Sequence, residues 1–164
     1  MNNESEIRSK FWKSLRSDMT LMLGLTSEEG AAKPMTAQFD GKDEGGPIYF
    51  FTAKETGLVR AASASAPAIA YFVSKGHDVF ASITGTLTAD NDRAVIDRLW
   101  NAFVAVWYDK DKGKDDPNLQ LLRFDPDHAH IWLSEHSLMS ATKLLLGKDP
   151  KREYKDKVAD VPLN

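Results

Sequence analysis

The sequence contains no cysteine, which excludes disulfides, zinc–thiolate sites, iron–sulfur clusters and cysteine nucleophiles. It also has no apolar run of the length that is needed to span a bilayer. The N-terminal segment MNNESEIRSK is polar and lacks the apolar core of a secretory signal. From these absences we expect a cytoplasmic protein that does not contact the membrane.

Basic clusters are missing as well. The formal net charge is -3, and Lys and Arg are spread among acidic residues without forming a block. Nucleic-acid binding depends on clustered phosphate contacts from basic side chains, so nucleic acid is not expected to be a partner.

Common catalytic motifs are absent too. The chain has no Gly-x-Ser-x-Gly elbow, no phosphate-binding P-loop and no Gly-x-Gly-x-x-Gly fingerprint. Carboxylates are numerous, but they fall mainly in predicted turns and loops. We therefore name no catalytic acid, base or nucleophile, and the catalytic residues of any reaction stay unassigned.

The 164 residues are typical of one domain, which we place over residues 1–147, followed by a polar tail over residues 148–164. Alternation and turn residues predict short strands with even spacing, which is typical of an antiparallel meander that closes toward a barrel. Gly85 is a candidate bulge within one of them. The predicted strands cover residues 19–26, 31–39, 48–52, 68–73, 79–87, 119–124 and 128–133.

Four helices are predicted around these strands from apolar periodicity and capping residues. The longest has Ile96, Trp100, Phe103 and Trp107 as its apolar stripe. Pro67 is expected to end the second helix, and residues 125–127 are expected to form a turn between the last two strands. The helices cover residues 4–15, 56–65, 90–108 and 137–146.

Several residues suit a ligand that is both anionic and aromatic. Lys33 and Lys54 could donate charge-assisted hydrogen bonds to a phosphate. Hydroxyls are available on or beside strands from Thr36, Thr52 and Ser82. Flat apolar surfaces for a ring are offered by Phe50, Phe51, Trp107 and Trp132.

Two histidines, His128 and His130, share one face of a predicted strand. They could begin a metal site, but no third ligand has a suitable spacing, so surface histidines are the simpler interpretation and no metal site is predicted.

The order of five segments resembles the FMN-binding split-barrel superfamily of the pyridoxamine 5′-phosphate oxidases, most closely its bacterial general stress protein branch. The segments are KPMT (33–36), YFFTAKET (49–56), SITGTL (82–87), LWNAFVAVWYDKDKGKDDPNLQLLRF (99–124) and HAHIW (128–132). The resemblance implies a mainly β fold: a six-stranded antiparallel split β-barrel with flanking helices. It also implies a homodimer that holds FMN at the subunit interface.

The resemblance further implies a set of cofactor-binding residues. Lys33 would reach the phosphate, the following segment would run along the ribityl chain and ring edge, and Trp132 would be supplied by the partner subunit. The full set is Lys33, Pro34, Met35, Thr36, Phe51, Thr52, Lys54, Leu58, Val59, Ser82 and Trp132.

The sequence departs from the oxidases at two places. Gly57 and Leu58 stand where the oxidases have an Arg-Lys pair, and Leu133-Ser134-Glu135-His136 stands where they have a substrate-binding arginine and histidine. We therefore do not expect pyridoxamine phosphate oxidation itself.

The leading hypothesis is a flavin-dependent oxidoreductase of the general stress protein type. Three alternatives stay open: a non-catalytic flavin-binding stress sensor or carrier, a barrel that binds deazaflavin or haem, and a plain dimerisation module. Haem would use His128 and His130. The dimerisation module would use Trp100, Phe103 and Trp107 as its interface.

Overall fold

The computed structural model describes residues 3–27, 32–134, 145–147 and 157–164. The chain begins with α1 (Asn3–Asp18). Ile7, Phe11 and Leu15 recur at four-residue spacing, so they share one helix face, and all three are buried against the barrel. Among the described residues, none of the helices combines the length and apolar character that crossing a bilayer requires.

Eight strands form one antiparallel sheet in the order β2-β1-β5-β6-β7-β4-β3, with β8 added on β7. Their bounds are β1 (Thr20–Leu25), β2 (Lys33–Thr36), β3 (Gln38–Phe39), β4 (Ile48–Ala53), β5 (Ala66–Val73), β6 (Val79–Ala89), β7 (Leu119–Leu133) and β8 (Val158–Pro162). The two ends of this order, β2 and β3, are consecutive in the chain. The sheet therefore closes on itself, and the predicted mainly β split barrel is confirmed.

The segment that closes the barrel was predicted as one strand over residues 31–39. In its described part it divides at Ala37, because β2 pairs with β1 whereas β3 pairs with β4. Ala37 is fully buried at the division, and its N–H donates to the Met19 carbonyl oxygen at 2.6 Å. If β2 and β3 are counted together, six strands close the barrel.

Two helical predictions need correction. The helix predicted over residues 56–65 is shorter: α2 (Gly57–Ala62) is capped by Thr56. Pro67 lies inside β5 and does not act as the terminator of a helix. The position before a proline favours extended backbone, which suits Ala66 as the start of a strand.

The single helix predicted over residues 90–108 is two helices, α3 (Arg93–Leu99) and α4 (Ala102–Ala105). Trp100 is extended, and the Asn101 side chain caps α4. Because of this break, the predicted stripe does not form one buried face: Ile96 is buried, whereas Phe103 is 87% exposed and Trp107 is 83% exposed.

The turn predicted at residues 125–127 is also wrong, since β7 continues through it. β6 pairs with β7 on both sides of this point, and the register shifts between Thr84 and Gly85. On its other edge β7 pairs first with β4 and then with β8, and Pro126 falls in the gap between them. Pro126 has no backbone N–H to donate, and at this gap no strand on that edge needs one. The bulge in the pairing with β6 is accommodated at the same place.

Gly85 is required at this bulge, as predicted. A Cβ added to it would meet the backbone oxygen of Asp125 and would lie 2.8 Å from Phe124 Cζ.

The predicted domain boundary at residue 147 stays a prediction, because residues 135–144 and 148–156 lie outside the described residues, as does most of the helix predicted over residues 137–146. The end of the predicted polar tail is corrected. Residues 158–162 form β8, and Ala159, Val161 and Leu163 are buried in the barrel core. Their alternation with the exposed residues Asp160, Pro162 and Asn164 explains why the segment joins a sheet edge with one face inward.

A smaller apolar cluster lies outside the barrel. It joins α3 to the outer side of β4 and the beginning of β7 through Tyr49, Val95, Ile96, Leu99, Leu119 and Leu121, with Phe51, Trp100 and Tyr108 packed against it. This cluster holds the connection between α3 and β7 beside the end of β4, where the candidate site lies.

Candidate functional site

A groove of about 380 Å³ lies between the barrel and the α4 segment. Its volume is in the range of small-molecule and cofactor sites. One wall comes from strands β2, β3 and β4, through Pro34, Met35, Thr36, Gln38, Phe51, Thr52 and Ala53. The other comes from α4 and the residues that follow it, through Phe103, Val104, Trp107, Tyr108 and Asn118.

The strand wall exists because of the division at Ala37. β3 pairs with β4, with Gln38 opposite Tyr49, and this brings the end of β2 close to the end of β4. Among the described residues β2 pairs with β1 alone, so Pro34 costs the sheet no central hydrogen bond. The strand wall therefore combines the polar side chains of Thr36, Gln38 and Thr52 with apolar surface.

The helix wall is held in place by two sets of hydrogen bonds. The Asn101 Oδ1 atom accepts from the backbone N–H groups of Phe103 at 2.9 Å and Val104 at 3.1 Å, which fixes the start of α4. At its far end the Tyr108 hydroxyl donates to the Thr52 carbonyl oxygen at 2.8 Å. The second bond ties the helix wall directly to the strand wall.

Three aromatic rings support this contact from behind. Phe51 lies 6.0 Å from Trp100 and 6.5 Å from Tyr108, and Trp100 lies 5.7 Å from Tyr108, measured between ring centroids. Burial, with a smaller contribution from the negative charge of Asp116, raises the pKa of Tyr108 to about 12. The phenol therefore stays protonated and keeps its hydrogen bond at physiological pH.

Charge is confined to the rim. None of the described residues that line the groove has a charged side chain. Lys33 and Lys54 are exposed, and each is adjacent in the chain to a lining residue. The Lys54 N–H donates to the carbonyl oxygen of Asn118 at 3.0 Å, which holds the Lys54 backbone at the edge of the groove.

The sequence profile described as "Pyridoxamine 5'-phosphate oxidase like" matches residues 6–153. The chain belongs to this family. The predicted family is therefore confirmed, and the match extends over the barrel, the α4 segment and both walls of the groove.

Solved structures give the same result. A general stress FMN/FAD binding protein from Xanthomonas citri is 56% identical, with 81% of this chain and 92% of that chain covered and a TM-score of 0.75. A general stress family protein from Xanthomonas campestris pv. campestris is 55% identical, with 84% of this chain and 93% of that chain covered and a TM-score of 0.76. A general stress protein 26 from Jannaschia sp. CCS1 is 29% identical, with 96% of this chain and 99% of that chain covered and a TM-score of 0.79. No curated protein matches the sequence.

Within this pyridoxamine phosphate oxidase-like fold, the structure brings together part of the predicted cofactor set. Pro34, Met35, Thr36, Phe51 and Thr52 all line the groove. Lys33 and Lys54 are not lining residues, but each adjoins one in the chain. Lys33 shares a strand face with Met35, which lines the groove and also packs against the barrel core.

Leu58 and Val59 contribute differently from the lining residues. Both side chains are buried in the barrel core. The Val59 N–H already has a partner, because it donates to Thr56 Oγ1 at 3.4 Å. Phe50, considered as a flat surface for a ring, is fully buried in the core, so that suggestion is wrong.

Ser82 and Trp132 lie on the outer face of β6 and β7, outside the groove. Ser82 is opposite His130, and Trp132 is opposite Phe80. The His130 ring lies 4.3 Å from the Trp132 ring, and its Nδ1 atom is 2.5 Å from Asp160 Oδ1 on β8. Among the described residues, no group of three or more His, Asp or Glu side chains could hold a metal ion.

Other lining residues were not predicted as site residues: Gln38, Ala53, Phe103, Val104, Trp107, Tyr108 and Asn118. Gln38 could have been found, since it follows Thr36 at the two-residue spacing of one strand face. Trp107 was considered as a flat surface for a ring, and both Trp107 and Phe103 as part of the helix stripe and of a possible dimer interface. The helix wall depends on the break at Asn101, which the periodicity did not indicate.

Proposed function

We propose that this chain binds FMN in the groove, as a cytoplasmic homodimer that uses the flavin for oxidoreductase chemistry. The observation that carries the proposal is that two separated segments, 34–36 and 51–52, line one groove, with lysines at its rim. The 56% identical protein from Xanthomonas citri, described as FMN/FAD binding, supports a flavin as the ligand.

The rim suits the phosphate end of FMN. A phosphomonoester carries about −1.5 to −2 charges near neutral pH, so cations and hydroxyl donors must replace the water that it loses. Lys54 at the end of β4 offers a cation, and Lys33 offers a second at the start of β2. Thr52 adds a hydroxyl in the groove wall. Charge-assisted hydrogen bonds of this kind are short and strong.

The interior of the groove suits the isoalloxazine ring. Phe51, Met35 and Pro34 provide apolar surface, and Thr36 and Gln38 provide polar atoms that could meet the heteroatoms at the ring edge. A cofactor site with mostly apolar walls and a few placed polar groups is the usual arrangement for such a ring.

A second copy of the chain would complete the site. Met22, Tyr71 and Val73 lie on the outer face of β1 and β5 and are exposed although apolar. Ser82 and Trp132 lie on the same outer side of the sheet. A contiguous apolar sheet face of this kind is typical of an interface, and a homodimer would bring the partner's Trp132 toward the groove.

The flavin would supply the redox chemistry, and the protein would supply binding, orientation and electrostatics. Because none of the described residues in the groove walls has a charged side chain, a non-catalytic flavin carrier is the second candidate. The two differ in turnover. Reduction of the bound flavin by NADH or NADPH much faster than that of free FMN supports the oxidoreductase, and a rate equal to that of free FMN supports the carrier.

Titration of flavin-free protein with FMN tests the binding proposal. We expect saturable binding, and we expect Lys54→Ala to weaken it by about tenfold, which corresponds to the loss of one charge-assisted hydrogen bond. Lys33→Ala should weaken it in the same direction. Lys13→Ala is the matched control, because Lys13 is an exposed lysine on α1 that does not line the groove.

Protein that binds no FMN would overturn the proposal, and equal affinity in all four proteins would remove the assigned role of the lysines. Sedimentation of the purified protein tests the homodimer separately.

A further inference from the structure

The two exposed aromatic residues of the helix wall bury little surface in the fold. Phe103 is 87% exposed and Trp107 is 83% exposed, although both line the groove. Large apolar side chains that stay in water next to a cofactor-sized cavity are better explained by a ligand than by packing.

The backbone that carries these rings is fixed from both ends. Asn101 caps the start of α4 through two hydrogen bonds, and Tyr108 ties the segment to Thr52. Val104 between them is buried. Phe103 and Trp107 therefore project from a supported backbone, so the rings can act as a preformed surface and lose little conformational freedom on binding.

The chemistry of the helix wall differs from that of the strand wall. The strand wall has Thr36, Gln38 and Thr52, whose polar atoms suit the edge of a flavin. The Tyr108 hydroxyl proton on the helix wall is already donated to the Thr52 carbonyl oxygen. The indole N–H of Trp107 is thus a side-chain donor that the helix wall can offer to a ligand.

Charge narrows the class of ligand. Among the described residues that line the groove there is no charged side chain to pair with an ionised group. A charged ring placed between these walls would lose hydration without gaining a partner, whereas an uncharged ring would lose only weak hydration and gain apolar contact.

We propose that Phe103 and Trp107 form the binding surface for the second substrate of the flavin site, and that this substrate is a flat, uncharged aromatic molecule with a carbonyl-type acceptor. The ring stacks on the helix wall and faces the flavin, and the acceptor receives the Trp107 N–H. This inference rests on the proposed function, because the flavin occupies the strand wall opposite.

The test compares two probes of the same shape and different charge, 2-naphthamide and 2-naphthoate. Each is titrated into FMN-loaded protein, and binding is followed by calorimetry and by the change in the visible flavin band. We expect the neutral amide to bind at least about tenfold more tightly than the anion. No binding of the amide, or equal affinity for both probes, would overturn the inference.

Variants assign the binding to the two rings. With FMN kept at saturation, we expect Trp107→Ala and Phe103→Ala each to weaken amide binding about two- to tenfold, the range for loss of one aromatic contact. Val106→Ala is the matched control, since Val106 is 77% exposed on the same segment but does not line the groove.

Three further outcomes are informative. Unchanged amide affinity in both aromatic variants contradicts the inference. So does a shift of these variants from dimer to monomer without loss of amide affinity, which would make the rings part of an interface. Failure of the wild-type protein to bind FMN overturns the proposed function instead. In that case the amide can still be titrated into flavin-free protein, and binding that is weakened by Trp107→Ala would support the ring surface.

Discussion

Replacing Tyr108 with phenylalanine isolates the hydrogen bond that joins the two walls of the groove. The hydroxyl donates to the Thr52 carbonyl oxygen at 2.8 Å, and the ring packs beside Phe51 and Trp100. Phenylalanine keeps the ring and removes only the donor. We expect the free energy of unfolding to fall by about 1 kcal/mol, the usual net value of one such bond. For a chain of this size that lowers the Tm by about 2–4 °C.

The pH dependence gives a second, independent readout. Burial raises the pKa of Tyr108 to about 12 in the folded protein, whereas an unfolded tyrosine titrates near 10. A raised pKa means that the fold favours the neutral phenol, so its contribution is complete below about pH 10 and is lost as pH rises through about 12. The stability difference between wild type and Tyr108→Phe should therefore be constant near neutral pH and narrow above about pH 10.

Urea denaturation followed by tryptophan fluorescence measures both effects. Ser17→Ala is the control, since it also removes one hydroxyl group, from an exposed residue on α1 that does not line the groove, and it should show no pH-dependent change in stability. Equal stability of wild type and Tyr108→Phe at neutral pH would show that the bond contributes nothing. A difference that does not narrow in alkali would show that burial does not protect this phenol.

Two further predictions concern the framework around the site. Gly85→Ala should destabilise the protein by about 1–3 kcal/mol in chemical denaturation, because the new Cβ would lie 2.8 Å from Phe124 Cζ and against a backbone oxygen of β7. Gly57→Ala at the start of α2 should be neutral or stabilising, and equal losses in both variants would refute the steric argument. The Arg98 guanidinium donates to Asp40 at 2.9 and 2.7 Å and lowers the pKa of that carboxyl group. Asp40→Asn should therefore lower the Tm slightly at pH 7. The difference in Tm between wild type and variant should vanish as pH falls below about 4 and through the lowered pKa of Asp40, because the carboxylate is then protonated. A difference in Tm that persists in acid would contradict a stabilising Arg98–Asp40 ion pair.

Local patterns were sufficient wherever an element is specified by its own residues. The spacing of Ile7, Phe11 and Leu15 predicted α1, and alternation predicted the barrel strands within a few residues. Gly85 was recognised because glycine inside a strand pattern indicates a bulge, and the structure confirms the reason. Residues 34–36 and 51–52, which the resemblance placed in one site, line one groove.

Local patterns failed where a neighbour in space decides the conformation. Pro126 and the acidic residues beside it read as a turn, but β6 pairs with β7 on both sides of Pro126, from Leu122 to Leu133, and keeps it extended. Asn101 reads as one more helical residue, yet its side chain caps a new helix. The polar character of residues 148–164 concealed Ala159 and Val161, which are buried only because the edge of β7 is available to β8.

The sequence by itself determined the barrel class and the family, because periodicity and short segments encode which residues face inward along each strand. It left Gln38 and Ala53 of the strand wall unassigned. Only the tertiary structure decided the other wall. Closure of the sheet at Ala37 brings β2 to β4, and the Tyr108–Thr52 hydrogen bond then places Phe103 and Trp107 across from them. These contacts join residues far apart in the chain, so no local pattern contains them.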